Sequence, residues 1–407
     1  MAVDFKTEVQ SSVSRLQECL DQVFAAMGGP GLSGAEVARA LGLDNKLAWK
    51  LTRLARETDA LKAVPFVPGE AAMQKALDAM SSSGLSAELV TRTTDAFTRF
   101  VDVAIHHAGN RTALDLLVAA DRPGTLRATE MEQRRNSFVG NAYTWGVQAE
   151  VQLRCEFIHP SAEPGFLDFA NIRGFYGLQR NRSDVQWPIN RARFFLDSNE
   201  VAWKIPRYPI DPQLDAEPDT IPLLRDFCSQ PIPEVRRTVE PNGNSVDHIT
   251  AGAVGKTGAM TILTGEHLRR VRPDHEQEPD DYSAHACAVH TPSRLLHFDT
   301  FVYDGCYGNR SPKLAVFSEL TATVAYPLSS PDHMLLPLSE KVEHLGQGLR
   351  RARSSALPNY LDLIRHVLDR LGWDESRFDV YRLTIEYPPI PVAVEMRWDI
   401  SEPKAES

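Results

Sequence analysis

Five potential metal ligands lie close together in the second half of the sequence: His285, Cys287, His290, His297 and Asp299. Imidazole, thiolate and carboxylate groups are the ligands that zinc takes in proteins. If HTPSR (290–294) joins two strands of a hairpin, His285 and Cys287 share one face, and His297 and Asp299 oppose them within chelating distance. His290 has the opposite parity, and no CxxC or HxxxH pair accompanies the set. Cys287 is equally well explained as a small buried hydrophobe. We therefore expect no metal and treat His285, His297 and Asp299 as the candidate ligands.

A glycine-rich segment, GAVGKTG (252–258), carries the lysine and hydroxyl of a phosphate-binding loop. Thr250 stands where that pattern needs its first glycine, and the following AMTILTG is typical of a strand rather than a helix. A turn explains the segment better. The sequence also has no GxSxG, no paired-carboxylate pattern and no GxGxxG after a strand. We therefore expect no cofactor and find no pattern that indicates an enzyme.

His106 and His107 are adjacent near the end of a predicted helix. A histidine interacts favourably with the negative end of the helix dipole at that position. We expect the pair to cap the helix or to lie on the surface, rather than to bind a metal.

The side chains best suited to reading DNA occur between Asp44 and Arg56. On a helix over this range, one outward face carries Asn45, Lys46, Trp49, Lys50 and Arg53. Amide, ammonium and guanidinium groups form the hydrogen bonds that recognise base edges and phosphates. Four basic residues (Lys46, Lys50, Arg53 and Arg56) against Asp44 alone give this range a charge of +3. A local charge of this kind suffices because phosphate contacts act over about one Debye length, ~10 Å.

Two short helices are predicted to position that face. Ser33 and Glu36 have the spacing of a capping box, which starts the first helix. Gly42 ends it, because glycine accepts the left-handed conformation without steric cost. Asp44 is a good N-cap for a second helix that runs to about Arg56.

Ala38, Gly42, Leu43 and Leu51 have the spacing of the helix-turn-helix signature of bacterial regulators. The segment of roughly residues 8–65 resembles the N-terminal domains of IclR-type and MarR-type winged-helix regulators. The resemblance implies that the second helix lies in the major groove. Ala48 replaces the usual β-branched residue, and ALKAVPFVPG (60–69) gives at most one short extended stretch instead of a wing hairpin. The alternative is a generic helical hairpin whose basic residues keep one face solvated.

The composition limits the class of protein without deciding it. The chain has 407 residues, 43% apolar content, a net charge of −10 and five widely spaced cysteines. This length supports two or three domains, and few unpaired cysteines favour a reducing compartment. No apolar run is long enough to span a membrane, and the N-terminus lacks the layout of a secretion signal. We expect a cytoplasmic protein that binds no membrane.

Periodicity divides the chain into four parts. A helix over Phe5–Met27 and the two short helices form a DNA-binding head (1–68), and further helices form a connector (69–143). From Trp145 the pattern alternates, with Gln152, Arg154 and Glu156 facing water, and several strands follow. Late helices are predicted over 338–349 and 359–371. Runs of strands with few helices favour a mainly antiparallel α+β domain over 144–400, followed by a disordered tail (401–407).

These patterns predict a DNA-binding transcription regulator with a large C-terminal domain for ligand sensing or assembly. Its partners would be double-stranded DNA and a small-molecule effector. Because one recognition helix buries little surface, we expect a homodimer on a pseudo-palindromic site. We expect Phe97 and Phe100, on a connector helix, to anchor the dimer, unless they are core residues of a monomer. The alternative function is a soluble enzyme or small-molecule-binding protein whose helical N-terminus is an adaptor.

Overall fold

The computed structural model describes residues 4–29, 31–120, 126–192, 195–196, 202–203, 207–211, 221–239, 245–271, 282–308, 310–319 and 335–399. The predicted tail 401–407 lies outside these residues. The chain forms two compact units, Met1–Glu130 and Met131–Ser407, which we call the N-terminal and C-terminal units. The class is mixed α+β, with helices first and sheets after them.

The N-terminal unit is helical throughout its described part. Its helices are α1 (Phe5–Met27), α2 (Gly34–Leu41), α3 (Asn45–Arg56), α4 (Ala60–Ala63), α5 (Glu70–Ser82), α6 (Ala87–Ala108) and α7 (Arg111–Ala120). A 3-10 turn, Val64–Phe66, follows α4. The segment 60–69, for which we expect at most one short extended stretch, contains α4 and this 3-10 turn. Asp59 instead accepts hydrogen bonds from the amides of Leu61 and Lys62 and starts α4.

The predicted caps of α2 and α3 are confirmed. The Ser33 amide donates to Glu36 Oε2 over 2.7 Å, and the Glu36 amide donates to Ser33 Oγ over 3.3 Å. Gly42 ends α2 with φ 65°, in the left-handed region that favours glycine. The Leu47 amide donates to Asp44 Oδ1 over 2.9 Å and starts α3. Local sequence therefore fixes both ends of the turn between the two helices.

One apolar core joins all the longer helices of the N-terminal unit. It runs from Val9 on α1 through Leu51 on α3 and Met73 on α5 to Val118 on α7. The helices α5–α7, which the sequence analysis assigns to a connector, thus share the core of α1–α3. Phe97 and Phe100 lie in this core and are only 8% and 1% exposed. The expectation that they anchor a dimer is wrong, because these rings are already buried within the unit.

The C-terminal unit consists mainly of β-strands. A helix that crosses the boundary between the units, α8 (Leu126–Trp145), precedes them, and α9 (Tyr360–Leu371) is the late helix expected there. The strands are β1 (Val147–Pro160), β2 (Leu167–Arg180), β3 (Trp187–Ala192), β4 (Phe195–Leu196), β5 (Ala202–Trp203), β6 (Arg207–Pro209), β7 (Val235–Val239), β8 (Ser245–Ile249), β9 (Met260–Val271), β10 (Tyr282–Val289), β11 (Ser293–Tyr303), β12 (Lys313–Ser318), β13 (Glu343–Gln347), β14 (Phe378–Glu386) and β15 (Val392–Asp399). Within the described residues, no helix has the length and apolarity to cross a membrane.

The strands form a large sheet with smaller sheets beside it. The large sheet has seven strands in the order β13-β14-β11-β1-β2-β9-β6, and a three-stranded sheet has the order β10-β15-β12. A second three-stranded sheet (β3-β8-β7) and the pair β4-β5 complete the described strands. The strand pairs are antiparallel except for β1 with β11, which is parallel. The predicted helix over 338–349 is wrong, because Gly346 and Gly348 have φ of 92° and 95° and the segment contributes β13.

The HTPSR segment does not form the expected hairpin. It leads from β10 in the three-stranded sheet to β11 in the seven-stranded sheet, and β10 pairs with β15 instead. The turn after β14 leads back, because β14 belongs to the seven-stranded sheet and β15 to the three-stranded sheet that contains β10. The two sheets are therefore joined face to face by consecutive strands. This arrangement buries both faces of the central strands.

Strand β1 shows this double burial most clearly. Leu153, Cys155 and Phe157 pack in one core with α9. On the other face, Arg154 and Glu156 are each only 6% exposed. The wet face predicted for this strand is wrong, because β10 covers it: His285 on β10 lies 3.1 Å from Glu156. Polarity alone did not distinguish solvent from a buried charged layer.

Phe138 should be a major contributor to the stability of the C-terminal unit. Its ring is 6% exposed and packs at 5.4 Å from both the Tyr387 ring and the Arg294 guanidinium. We expect Phe138→Ala to lower the free energy of unfolding by about 3–5 kcal/mol, the usual cost of truncating a buried phenylalanine. Denaturant unfolding measures the change. Val139→Ala is the matched control, because that neighbouring side chain is 58% exposed; equal losses for both variants would contradict the packing of α8.

Candidate functional site

The candidate DNA-binding residues all lie on the outer side of α3. Asn45, Lys46, Trp49 and Arg53 are exposed and Lys50 is half-buried. Leu47, Ala48 and Leu51 on the same helix are buried in the core. The structure thus brings the five predicted residues together on one surface, which we call the α3 face.

Two close contacts hold α3 in place. Where α2 starts, a Cβ on Gly34 would lie 3.2 Å from the Trp49 Cα atom, so the helices approach closely there. At the C-terminal end of α3, the side-chain amide of Gln17 on α1 donates to the carbonyls of Leu54 (2.8 Å) and Glu57 (2.6 Å). These bonds use carbonyls that the end of α3 would otherwise leave without partners. The orientation of the α3 face is therefore set by both neighbouring helices.

The basic side chains of α3 differ in how many partners they already have within the chain. Within the described part of the chain, neither Lys46 nor Lys50 forms an ion pair. Arg53 lies over the Phe66 ring at 5.1 Å and 3.9 Å from Glu57. Arg56, which contributes to the +3 of the sequence, instead donates to the carbonyls of Gly31 and Leu32. The two lysines are the side chains most free to meet an anionic partner.

The candidate metal ligands His285, His297 and Asp299 do not lie together in the structure. His297 and Asp299 pair in register with Leu153 and Cys155, so they lie on the α9 side of the large sheet. His285 contacts Glu156, whose side chain lies on the opposite side. The sheet itself separates the two groups, because successive residues of a strand point to opposite faces.

The Asp299 carboxylate is already fully engaged. It accepts hydrogen bonds from Arg382 over 2.8 and 2.7 Å and from the Tyr360 hydroxyl over 2.8 Å, and His297 lies 3.2 Å away. Burial by itself raises the pKa of Asp299, but His297 and the bonds from Arg382 lower it below its ordinary value. A carboxylate with these partners fixes β11 against β14 and α9.

A second polar cluster lies between the two facing sheets. Glu156 accepts from Arg154 Nη2 over 3.0 Å and lies 3.1 Å from His285 Nδ1. The other His285 nitrogen is 2.7 Å from the Tyr307 hydroxyl, which is 3.0 Å from Ser283 Oγ. Burial opposes ionisation of Glu156, but Arg154 and His285 lower its pKa to about 2. An ionised carboxylate, an imidazole and a phenol thus form one continuous hydrogen-bonded chain.

The hydrogen-bonded series from Glu156 to Tyr307 ends beside a small cavity. The cavity has a volume of about 120 Å³ and is lined by Tyr307 together with other residues, among them Tyr303, Asp304, Arg310 and Tyr381. Burial raises the pKa of Tyr307 above its ordinary value, so the phenol keeps its proton at neutral pH. The hydroxyl itself lies within hydrogen-bond distance of His285 Nε2 and Ser283 Oγ. Sequence reasoning missed this hydrogen-bonded series because Arg154 and Glu156 have the parity of a solvent-facing strand surface.

Arg154 has further hydrogen-bonding capacity. In register on β2 it faces Arg173, and burial together with Arg154 lowers the pKa of Arg173 to about 10. Among the described residues, Nε and Nη1 of Arg154 have no hydrogen-bond partner. Glu266 and Glu156 both offset the repulsion between these two guanidinium groups, and Glu156 is the one that pairs with Arg154.

Comparison with known proteins identifies no relative: no family model, no curated protein and no solved structure matches the chain significantly.

Replacing Glu156 should test the charged layer. Glu156→Gln keeps the shape of the side chain but leaves the buried Arg154 charge without its partner, so we expect a loss of about 3–5 kcal/mol in unfolding free energy at neutral pH. Glu150→Gln is the matched control on the same strand; its carboxylate is 55% exposed and pairs with Arg294 at 3.1 Å. Such a surface pair is worth about 0–1 kcal/mol. Equal effects of the two variants in urea unfolding would show that Glu156 is not the essential counter-ion.

The same variant should change the acid response. The pKa of Glu156 is lowered from 4.5 to about 2 in the folded chain. A lowered folded pKa stabilises the protein fully above the unfolded pKa, and that stabilisation disappears as pH falls towards the folded value. The difference in stability between wild type and Glu156→Gln should therefore shrink as the pH falls from about 4.5 to about 2. A constant difference across that range would contradict the assigned ionisation.

Proposed function

We propose that the chain is a double-stranded DNA-binding transcription regulator and that α3 is its recognition helix, as in a helix-turn-helix motif. The observation that carries the proposal is the α3 face: an amide, an indole and basic side chains on one capped helix, with Lys46 and Lys50 outside any ion pair among the described residues. The close approach of α2 at Gly34 and the tight turn at Gly42 support it. No wing hairpin is part of the proposal, because α4 follows α3.

The positions of the side chains suggest how such a helix reads DNA. Asn45 and Lys46 are in the first turn of α3, the part of a recognition helix that contacts base edges. An asparagine pairs best with adenine and a lysine with guanine in the major groove. Lys50 and Arg53, farther along the helix, suit phosphate contacts, which position the protein on the duplex.

The C-terminal unit takes the part of a sensor or assembly domain in this proposal. A single recognition helix buries too little surface for useful specificity, so we expect a two-fold homodimer on a pseudo-palindromic site. Phe97 and Phe100 do not form the dimer interface in this proposal, because both rings are buried. A small-molecule effector and a cytoplasmic location belong to the same proposal.

A second candidate function, small-molecule binding by the C-terminal unit, is favoured by the hydrogen-bonded chain that ends at Tyr307. The cavity there has about 120 Å³. Ligand sites usually have about 300–1,000 Å³, so only a group of a few atoms fits this cavity. Thermal-shift screening of small polar metabolites tests it: a ligand that stabilises the wild type but not Tyr307→Phe favours this function. If no metabolite stabilises the wild type, the second candidate fails.

Selection from random DNA is the decisive experiment for the first proposal. The full chain, incubated with a random duplex library at low salt, should enrich one motif with two-fold symmetry after several rounds. Sedimentation of the chain with the enriched duplex should show two chains per site. If no duplex is retained even at low salt, the DNA-binding proposal fails.

The lysines of the α3 face should control affinity for the enriched duplex. The double variant Lys46→Ala/Lys50→Ala should bind more weakly, and the negative slope of log affinity against log salt should become shallower by about 0.9 for each lost phosphate contact. Fluorescence anisotropy over a salt series measures both quantities. A base-edge contact would instead cost about 1–3 kcal/mol and relax specificity at one position.

Lys62→Ala is the control for this experiment. Lys62 is in the same unit but on α4, is 61% exposed and pairs with Asp59 at 3.6 Å. Its removal should leave DNA affinity unchanged. If circular dichroism shows that both proteins are folded, equal affinity of wild type and the double variant would exclude α3 as the recognition helix.

A further inference from the structure

Three potential metal ligands converge where α1 begins and α6 ends. Glu8, His106 and His107 each present one ligand atom, and these atoms all lie within 4.8 Å of one another. Glu8 Oε2 is 2.7 Å from His107 Nε2, and the two imidazole rings meet edge to face at 4.8 Å between centroids. Among the described residues, no other group of three histidine, cysteine or carboxylate side chains shares this spacing.

The fold holds this cluster together. Glu8 is in the first turn of α1, and both histidines are in the last turn of α6. Farther along the same two helices, Cys19 Sγ contacts the Arg92 carbonyl at 3.7 Å, so α1 and α6 run antiparallel. Val9, Val13 and other members of the shared core fix their separation. The Phe5 ring also packs edge-on against His107 at 5.5 Å.

We propose that Glu8, His106 and His107 form a binding site for a zinc-class divalent ion. Two imidazoles and one carboxylate are a ligand set that zinc accepts, with water in the fourth position. Ligand atoms of tetrahedral zinc are about 3.4 Å apart when each bond is about 2.0–2.1 Å long. The three side chains are exposed or half-buried, and their ligand atoms lie within 4.8 Å of one another, so binding requires these atoms to adjust towards the tetrahedral spacing. The exposed His106 leaves space for the water ligand.

The chemistry of the ligands selects the ion. Imidazole suits zinc, cobalt, nickel and copper, whereas magnesium and calcium prefer oxygen ligands. Glu8 supplies the one carboxylate of the group, beside the His107 imidazole at 2.7 Å. One neighbour opposes binding: an Arg99 nitrogen lies 3.4 Å from Glu8 Oε1. Its positive charge competes with the metal for the same carboxylate.

Metal titration of the full chain tests the site. After treatment with chelator and dialysis, the protein should bind one equivalent of Zn²⁺ by calorimetry, and Co²⁺ should give the visible absorption of a tetrahedral complex. Mg²⁺ should give no saturable binding. His106→Ala, at an exposed position, and Glu8→Gln should each weaken Zn²⁺ binding at least about tenfold, a loss found even for outer-shell partners of metal ligands.

Two further variants make the test specific. Arg99→Gln should tighten Zn²⁺ binding by about three- to tenfold, because it removes a like charge near the ion. His290→Ala should bind Zn²⁺ like the wild type, although His290 also faces a carboxylate, that of Glu319. The proposal is overturned if wild type binds no Zn²⁺ saturably. It is equally overturned if His106→Ala and Glu8→Gln, folded by circular dichroism, bind as tightly as wild type, which would indicate an adventitious ion only.

Discussion

The C-terminal unit depends on the ion pair between Arg154 and Glu156, which lies between two facing sheets. Each of these side chains is 6% exposed, and His285 reaches Glu156 from the opposite sheet. A buried charge without a partner costs several kcal/mol, so a register that moved His285 away from Glu156 would leave these groups less well compensated. The apolar residues on either side, such as Phe298 and Met396, then pack around them. In this way a polar contact specifies the alignment, and apolar burial supplies the stabilisation.

The N-terminal unit is organised by different means. Its turn between α2 and α3 is set by short-range bonds at Ser33, Glu36 and Asp44, and by the left-handed backbone at Gly42. Helix α1 then links these local elements. Gln17 binds the last carbonyls of α3, while Glu8 meets the end of α6. One helix therefore holds the end of α3 and also supplies a ligand to the proposed metal site.

The candidate sites differ in what they demand of the chain. The α3 face needs only one helix with its polar side outward, so all its members are close in sequence. The chain from Glu156 through His285 to Tyr307 joins three separate segments, and so does the group of Asp299, Arg382 and Tyr360. Of these, the first reaches a cavity, whereas the second is saturated by its own partners. Residue type alone does not show which buried carboxylate belongs to a network that reaches a cavity.

Short-range sequence patterns sufficed to predict the elements whose causes are local. The stripe of Val9, Val13 and Leu16, the capping box at Ser33 and the stop at Gly42 act within a few residues, so α1–α3 and the α3 face follow from them. Strand positions such as β1 follow from alternation for the same reason. What lies opposite each strand face depends instead on the packing of distant segments in the folded chain. This packing buried Arg154 and Glu156, placed His285 and His297 on opposite sides of one sheet, and brought Glu8 to His107. These outcomes depend on pairing between distant segments, whose register no short-range rule specifies.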